Sequence, residues 1–173
     1  MAGIQRVLIP TDFTVNSLRI ALAYLEDNGE QPVELVFVCG YNLGDSITSL
    51  LGFTKDDQLN RLQGEDFVKG CQMIKSRFEH KVVELYSDLF ISKNPRYLRN
   101  CIKGGKVTHV VLPENFMFRF SNKQCFDVAK LLKTMKGEGR VTMVGIGVGS
   151  VDLESADTMD GIFFRKDWRI SYE

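Results

Sequence analysis

An acidic residue directly follows the first apolar run of the chain. Residues 7–9 are Val-Leu-Ile, the run ends at Pro10, and Thr11 and Asp12 come next. In open α/β sheets, ligands bind beyond the carboxyl ends of the strands, so a carboxylate at this point could hold a ribose or a cation. An acid beside a helix N-terminus is also a plain capping group. We favour capping and keep Asp12 as a candidate ligand-binding residue.

A second group of polar side chains lies far downstream. Arg119, Asn122 and Lys123 lie in one segment after the fourth apolar run. Arg and Lys both recognise phosphate, so their side chains could offer positive charge to an anion. Ordinary solvated surface residues are the simpler interpretation.

The same segment carries alternating aromatic residues. Phe116, Phe118 and Phe120 are separated by single residues, one of them Met117. They could line a groove for an apolar ligand or a partner, or they could pack over the end of the sheet. We favour packing, which would fill the space that a nucleotide needs.

Other chemistries lack part of their residue set. Gly145, Gly147 and Gly149 are not followed by a helix pattern or a Walker lysine, so a phosphate loop is not indicated. Asp12 and Asp88 end two apolar runs, but the acidic pair and the lysine of a phosphoacceptor domain are missing. His109 lies inside an apolar run, where a core position is the simpler interpretation than catalysis.

The cysteines are widely separated and form no CxxC pair. With the two histidines they predict neither a zinc site nor a disulfide framework. We therefore predict isolated buried thiols. The cysteines are Cys39, Cys71, Cys101 and Cys125, and the histidines are His80 and His109.

Strand-like and helix-like segments alternate along the chain, as in α/β proteins. We predict a doubly wound, five-stranded parallel sheet in a three-layer α/β/α arrangement, with a C-terminal extension. The predicted strands are the opening run and residues 33–39, 81–86, 107–112 and 140–146. The predicted helices begin after Thr14, cover residues 59–78, begin at Asn94-Pro95 and end before Gly104-Gly105, and run from Phe126 to Gly137.

Two regions stand apart from this alternation. Residues 41–57 are predicted to be an irregular stretch with an apolar patch, serving as a lid or a partner-binding loop. Residues 151–173 combine acids with Phe163, Trp168 and Tyr172, and this much aromatic surface must be covered. We therefore predict one domain over residues 1–150 and an arm over 151–173 that adds a strand or helps association.

Composition narrows the classes of partner and the location. The chain has 173 residues, 44% of them hydrophobic, with 22 Lys+Arg against 22 Asp+Glu. This balance gives no general basic field for nucleic acid or an anionic membrane. No apolar run approaches the roughly 18 residues of a membrane span, and the first run is too short for a signal peptide. We expect a cytoplasmic protein.

The opening of the chain resembles the universal stress protein family, in the adenine nucleotide alpha-hydrolase-like superfamily. The resemblance rests on residues 7–14, Val-Leu-Ile-Pro-Thr-Asp-Phe-Thr, followed by Asn16-Ser17 and an Ala/Leu-rich helix. The order and length of the later elements are also similar, so the likeness covers about residues 4–147.

The resemblance implies a five-stranded parallel sheet and, commonly, a dimer built through the last strand. These are small cytosolic proteins linked to stress adaptation, and many of them hold ATP. The acid that ends the first strand would lie near the adenosine, which here is Asp12 flanked by Pro10 and Thr11. The end of the second strand would contribute near Val38.

The segment after the fourth strand departs from the nucleotide-binding members, which carry several glycines there. Residues 113–125 contain no glycine, so their side chains would hold the backbone away from phosphate and bar positive φ angles. Our first hypothesis is a non-catalytic homodimer that acts through protein contacts, with a degraded nucleotide loop and no assigned cofactor. The second is an ATP-binding or slowly ATP-hydrolysing protein. Its candidate site residues are Pro10, Thr11, Asp12, Val38, Arg119 and Lys123.

Overall fold

The computed structural model describes residues 3–44, 46–135, 141–148 and 163. The strands are β1 (Gln5–Pro10), β2 (Val33–Tyr41), β3 (Val82–Phe90), β4 (His109–Glu114), β5 (Cys125–Phe126) and β6 (Thr142–Gly147). The helices are α1 (Leu18–Asp27), α2 (Ile47–Leu51), α3 (Lys55–Leu62), α4 (Glu65–Arg77), α5 (Pro95–Gly104) and α6 (Val128–Lys133), with a 3-10 turn at Val15–Ser17 before α1.

The sheet has the predicted doubly wound arrangement. Its parallel strands follow the order β3-β2-β1-β4-β6, with β1 at the centre. The chain thus moves outward first to one side of β1 and then to the other. The carboxyl ends of β1, β2 and β4 consequently meet at one edge, where the candidate residues lie.

Two hydrophobic cores cover the two faces of the sheet. Successive residues of a strand point to opposite faces, so Ile9 packs with α1 and α4, whereas Leu8 packs with α5 and α6. Burial on both faces explains why β1 and β2 are almost continuously apolar. The predicted α/β/α layering is confirmed.

A short antiparallel strand, which the sequence analysis did not predict, is added at the end of β2. Gly40 pairs with Phe126, and Tyr41 pairs with Cys125. The ring of Phe126 lies over Gly40 so closely that a Cβ atom there would be 2.3 Å from ring carbon Cε2. Gly40 is therefore required by a close approach, and the helix predicted from Phe126 begins only at Val128.

Three other predicted boundaries were wrong. The long helix over 59–78 is interrupted, because α3 ends at Leu62 and Gly64 caps the start of α4. The third strand, predicted over 81–86 and to end at Ser87-Asp88, continues to Phe90, because its pairing with β2 extends to that residue. The fourth strand contains Pro113, which lies beyond the last residue paired with β1, so its missing N–H is tolerated there.

The stretch predicted as irregular, 41–57, contains α2 and the start of α3. Ile47 and Leu51 on α2 are 73% and 83% exposed. Phe53, in contrast, stacks on Tyr41 with ring centroids 6.0 Å apart. The apolar patch is thus divided between solvent and the end of β2.

Most of the predicted arm, 151–173, lies outside the described residues. Phe163 is described, and its side chain is buried in the core that contains α1 and α4. Its carbonyl oxygen accepts a hydrogen bond from Arg77 Nη2 at 3.4 Å. Within the described part of the chain, no helix is long and apolar enough to cross a membrane.

Candidate functional site

The ends of β1 and β2 are joined where the predicted site residues begin. Pro10 is the register partner of Val38, and the Thr11 backbone N–H donates to the Val38 carbonyl at 2.9 Å. The Thr11 hydroxyl lies 2.8 Å from Ser17 Oγ and accepts from the Phe13 backbone N–H at 2.9 Å. The Thr11 side chain therefore fixes the turn between β1 and α1.

Asp12 is buried and fully engaged by the chain itself. Its side chain is only 7% exposed. Oδ1 accepts from the Thr14 backbone N–H at 2.9 Å and from the Thr14 hydroxyl at 2.6 Å. Oδ2 accepts from the Arg119 backbone N–H at 2.7 Å. Both carboxylate oxygens thus hold protein donors, one within the turn and one from a distant segment.

Phe13 occupies a backbone conformation that is unusual for an aromatic residue. Its φ angle is +61°, in the left-handed region, which costs free energy for a residue with a bulky side chain. Its ring meets Phe67 of α4 edge-on, with centroids 5.3 Å apart. Burial of the ring, the hydrogen bond that Thr11 accepts from Phe13 and the two that Asp12 accepts from Thr14 hold the turn in this shape.

We call residues 115–124, between β4 and β5, the phenylalanine loop. Phe116 and Phe118 meet edge-on at 4.9 Å, and Phe118 stacks with Phe120 at 5.9 Å. All three rings pack against the core of α1 and α4, and Phe118 also reaches the other core. The loop is therefore an aromatic cover at the carboxyl edge of the sheet.

The phenylalanine loop reverses direction without glycine. Asn115 follows β4 and adopts a φ of +56°. Asparagine tolerates this left-handed region better than most residues. The expectation that side chains in this segment bar positive φ angles was therefore wrong at Asn115.

The candidate residues do not all lie together. Pro10, Thr11, Asp12 and Val38 meet at the strand ends, and the backbone of Arg119 joins them through Asp12. Lys123, by contrast, lines a separate cleft beside α3.

Two cysteines that are distant in sequence meet beside this edge. The thiols of Cys39 on β2 and Cys125 on β5 interact, which raises the pKa of the Cys39 thiol and lowers that of Cys125. Burial raises the Cys39 pKa further. The prediction of isolated thiols was wrong for this pair. The two cysteines meet because β5 pairs with the end of β2, and that pairing was not predicted.

The other titratable candidates have ordinary structural partners. Asp88 Oδ1 lies 3.2 Å from Lys55 Nζ and accepts from the Leu89 backbone N–H at 2.7 Å. His109 begins β4, its Nδ1 lies 2.8 Å from the Thr108 hydroxyl, and burial lowers its pKa. Among the described residues, no group of three His, Cys, Asp or Glu side chains could hold a metal ion.

Solved structures similar to this chain identify the class of fold. The universal stress protein UspA from Lactobacillus plantarum matches with 11% identity and a TM-score of 0.52, covering 84% of this chain and 99% of that chain. A crystal structure of a hypothetical protein matches with 15% identity and a TM-score of 0.50, covering 86% and 99%. No protein-family model matches the chain, and no curated protein matches it.

The chain has the universal stress protein fold. The resemblance predicted from residues 7–17 is thereby confirmed at the level of the fold. At sequence identities of 11% and 15%, the similarity shows only a shared fold and assigns no ligand or activity.

Proposed function

We propose that this chain is a cytoplasmic, non-catalytic universal-stress-protein-like protein. It acts in stress adaptation through homodimerisation and protein contacts, and the phenylalanine loop stands where related nucleotide-binding proteins have a glycine-rich loop. The proposal is supported by the fold and by the absence of glycine from residues 113–125.

The hydrogen bond from the Arg119 backbone N–H to Asp12 Oδ2, at 2.7 Å, carries the proposal. A nucleotide that used Asp12 would have to break this bond. A buried hydrogen bond to a charged group contributes about 1.5 to 3 kcal/mol, so its loss would weaken nucleotide binding by roughly 10- to 150-fold. The aromatic cover would also have to move, which exposes apolar surface to water.

Calorimetric titration with ATP and magnesium tests this proposal. We expect no saturable heat up to about 1 mM ATP. A titration to this concentration would detect binding with a free energy of about −4 kcal/mol or stronger. Micromolar binding that is lost in Asp12→Ala, with circular dichroism unchanged, would contradict the proposal. It would favour the alternative of an adenine-nucleotide-binding or slowly ATP-hydrolysing protein. In that alternative, the predicted nucleotide-binding residues are Pro10, Thr11, Asp12, Val38, Arg119 and Lys123, of which Lys123 lines the cleft beside α3.

The homodimer is tested by the mass in solution. We expect light scattering to give twice the 19.6 kDa chain mass. Removal of residues 164–173 keeps the buried Phe163 and should shift the protein towards monomer if the C-terminal arm contributes to association. An unchanged dimer after this truncation would refute a role of residues 164–173 in association, and a monomeric full-length chain would refute the dimer.

A further inference from the structure

A polar cleft of about 490 Å³ opens beside α3, and Asp12 is not among its lining residues. It lies between α3, the last residue of β2 and the end of the phenylalanine loop. Its volume falls within the usual range for small-molecule sites, which is roughly 300 to 1,000 Å³. The lining side chains used below are Tyr41, Gln58, Arg61, Leu62, Asn122 and Lys123.

The charged residues that line the cleft are both basic. Arg61 belongs to the last turn of α3, and Lys123 belongs to the phenylalanine loop. In the described part of the chain, no ion pair joins either side chain to a carboxylate. A planar guanidinium from α3 and a flexible ammonium from the phenylalanine loop, both lining one cleft, suit a compact group with two negative charges, above all a phosphate.

Gln58 supplies an independent indication of a ligand. It is only 9% exposed and lines the cleft, yet its side-chain amide makes no hydrogen bond to any other described residue. Gln63 and Gln124, in contrast, bond to Ser87 and Tyr41. Because Gln58 lines the cleft, a group bound there could supply the hydrogen bonds that its amide does not make within the described part of the chain.

The remaining walls are suited to the uncharged part of a ligand. The Tyr41 hydroxyl already donates to Gln124 Oε1 at 2.6 Å, so Tyr41 offers chiefly its ring. Leu62 adds apolar surface. Asn122 Oδ1 accepts from the Gln124 backbone N–H at 2.9 Å, which leaves its amide nitrogen to donate. The cleft therefore combines two cations, two amides and a small apolar wall.

We propose that this cleft binds a small organic phosphate. The phosphate lies between Arg61 and Lys123, and the Gln58 amide bonds a hydroxyl or carbonyl group of the attached organic part. The inference goes beyond the proposed function, because it uses a site that does not include Asp12.

Binding is tested calorimetrically on the full chain in about 0.15 M KCl, which screens non-specific surface attraction. The probes are glucose 6-phosphate, 3-phosphoglycerate, pyrophosphate and inorganic phosphate, with glucose as the uncharged comparison. We expect at least one organic phosphate to bind with a Kd of about 10 to 100 μM, and glucose to give no saturable heat. No saturable binding of any of the four phosphates up to about 5 mM overturns the proposal.

Variants assign the binding to the cleft. Arg61→Gln and Lys123→Gln should each raise the Kd of the organic phosphate at least about tenfold, because each removes a charge-assisted hydrogen bond. Lys69→Gln, an exposed lysine on α4 paired with Glu65, is the matched control and should leave the Kd unchanged. Equal affinities in the Arg61, Lys123 and Lys69 variants would overturn the proposal.

Gln58→Met tests the contact to the organic part. This substitution should raise the Kd of the organic phosphate several-fold and leave the Kd of inorganic phosphate unchanged. Because the amide has no protein partner among the described residues, the melting temperature should stay the same or rise. A fall of more than about 4 °C would show that Gln58 has a structural role and would overturn its assignment as a ligand contact.

Discussion

Replacement of Asp12 by alanine is expected to lower the free energy of unfolding by about 3 kcal/mol. The substitution removes three hydrogen bonds to a buried carboxylate and leaves the backbone N–H groups of Thr14 and Arg119 without their acceptor. Urea denaturation followed by circular dichroism measures the change. Asp12→Asn should cost less, since its amide oxygen can still accept from one side.

Trypsin cleavage separates the local effect of Asp12 from its effect on overall stability. Cleavage after Arg119 should accelerate in Asp12→Ala, because the phenylalanine loop loses its bond to the carboxylate. Glu79→Ala removes an exposed acid from the turn before β3 and should change neither stability nor cleavage. If Asp12→Ala matches this control in both measurements, then Asp12 does not hold the loop.

Replacement of Gly40 by alanine is expected to destabilise the protein by about 3 kcal/mol, the upper part of the range for overpacking. The new Cβ would lie 2.3 to 2.6 Å from three ring carbons of Phe126. These distances are too short for real contacts, so the ring must leave its position or β5 must separate from β2. Thermal or urea unfolding measures the loss.

A second substitution tests whether the Phe126 ring causes this loss. Phe126→Leu removes part of the ring volume and should recover some of the stability in the double variant, so that the two effects are not additive. Gly104→Ala is the matched control, because a Cβ atom there meets nothing within 4 Å and alanine favours the helix end. A Gly40→Ala variant as stable as Gly104→Ala would show that the close approach carries no energetic weight.

The parts of the fold that were predicted from sequence depend on local patterns. The apolar run 7–9 and the Leu/Ala spacing of α1 specify a strand and a helix that bury defined faces, and the alternation of such segments leads to a parallel sheet. The universal stress protein resemblance came from the same opening residues. These features could be predicted because each is encoded within about 20 residues.

The features that were missed depend on contacts between distant segments. A strand of two residues, Cys125–Phe126, is too short to show a recognisable sequence pattern, so its pairing with the end of β2 was not predicted. The contact between Cys39 and Cys125 results from this pairing. Pro113 was predicted to end the fourth strand. A proline is tolerated in a strand where its missing N–H faces no neighbouring strand, and the sequence does not show where β1 stops pairing with β4. Gly40 was a usable signal, since a glycine inside a buried strand often marks a close approach.

The candidate site was predicted in its parts and not in its connections. Asp12 was expected either to cap a helix or to bind a ligand, and its Oδ1 atom does bond the Thr14 backbone at the start of the next helical turn. That its other oxygen accepts from Arg119 could not be derived from the sequence, because a backbone donor carries no residue-specific signal. Gln58 was missed for a similar reason, since burial of a polar helix residue is decided by the loop packed beside it.

The bond between Asp12 and Arg119 also sets an order of events during synthesis. The two residues are 107 positions apart, and ribosomes add about 5 to 20 residues per second, so roughly 5 to 20 s pass between them. Throughout that interval the end of β1 has a carboxylate but lacks the backbone donor that covers it in the finished protein. The phenylalanine loop can therefore close over the end of β1 only after about two thirds of the chain has been synthesised.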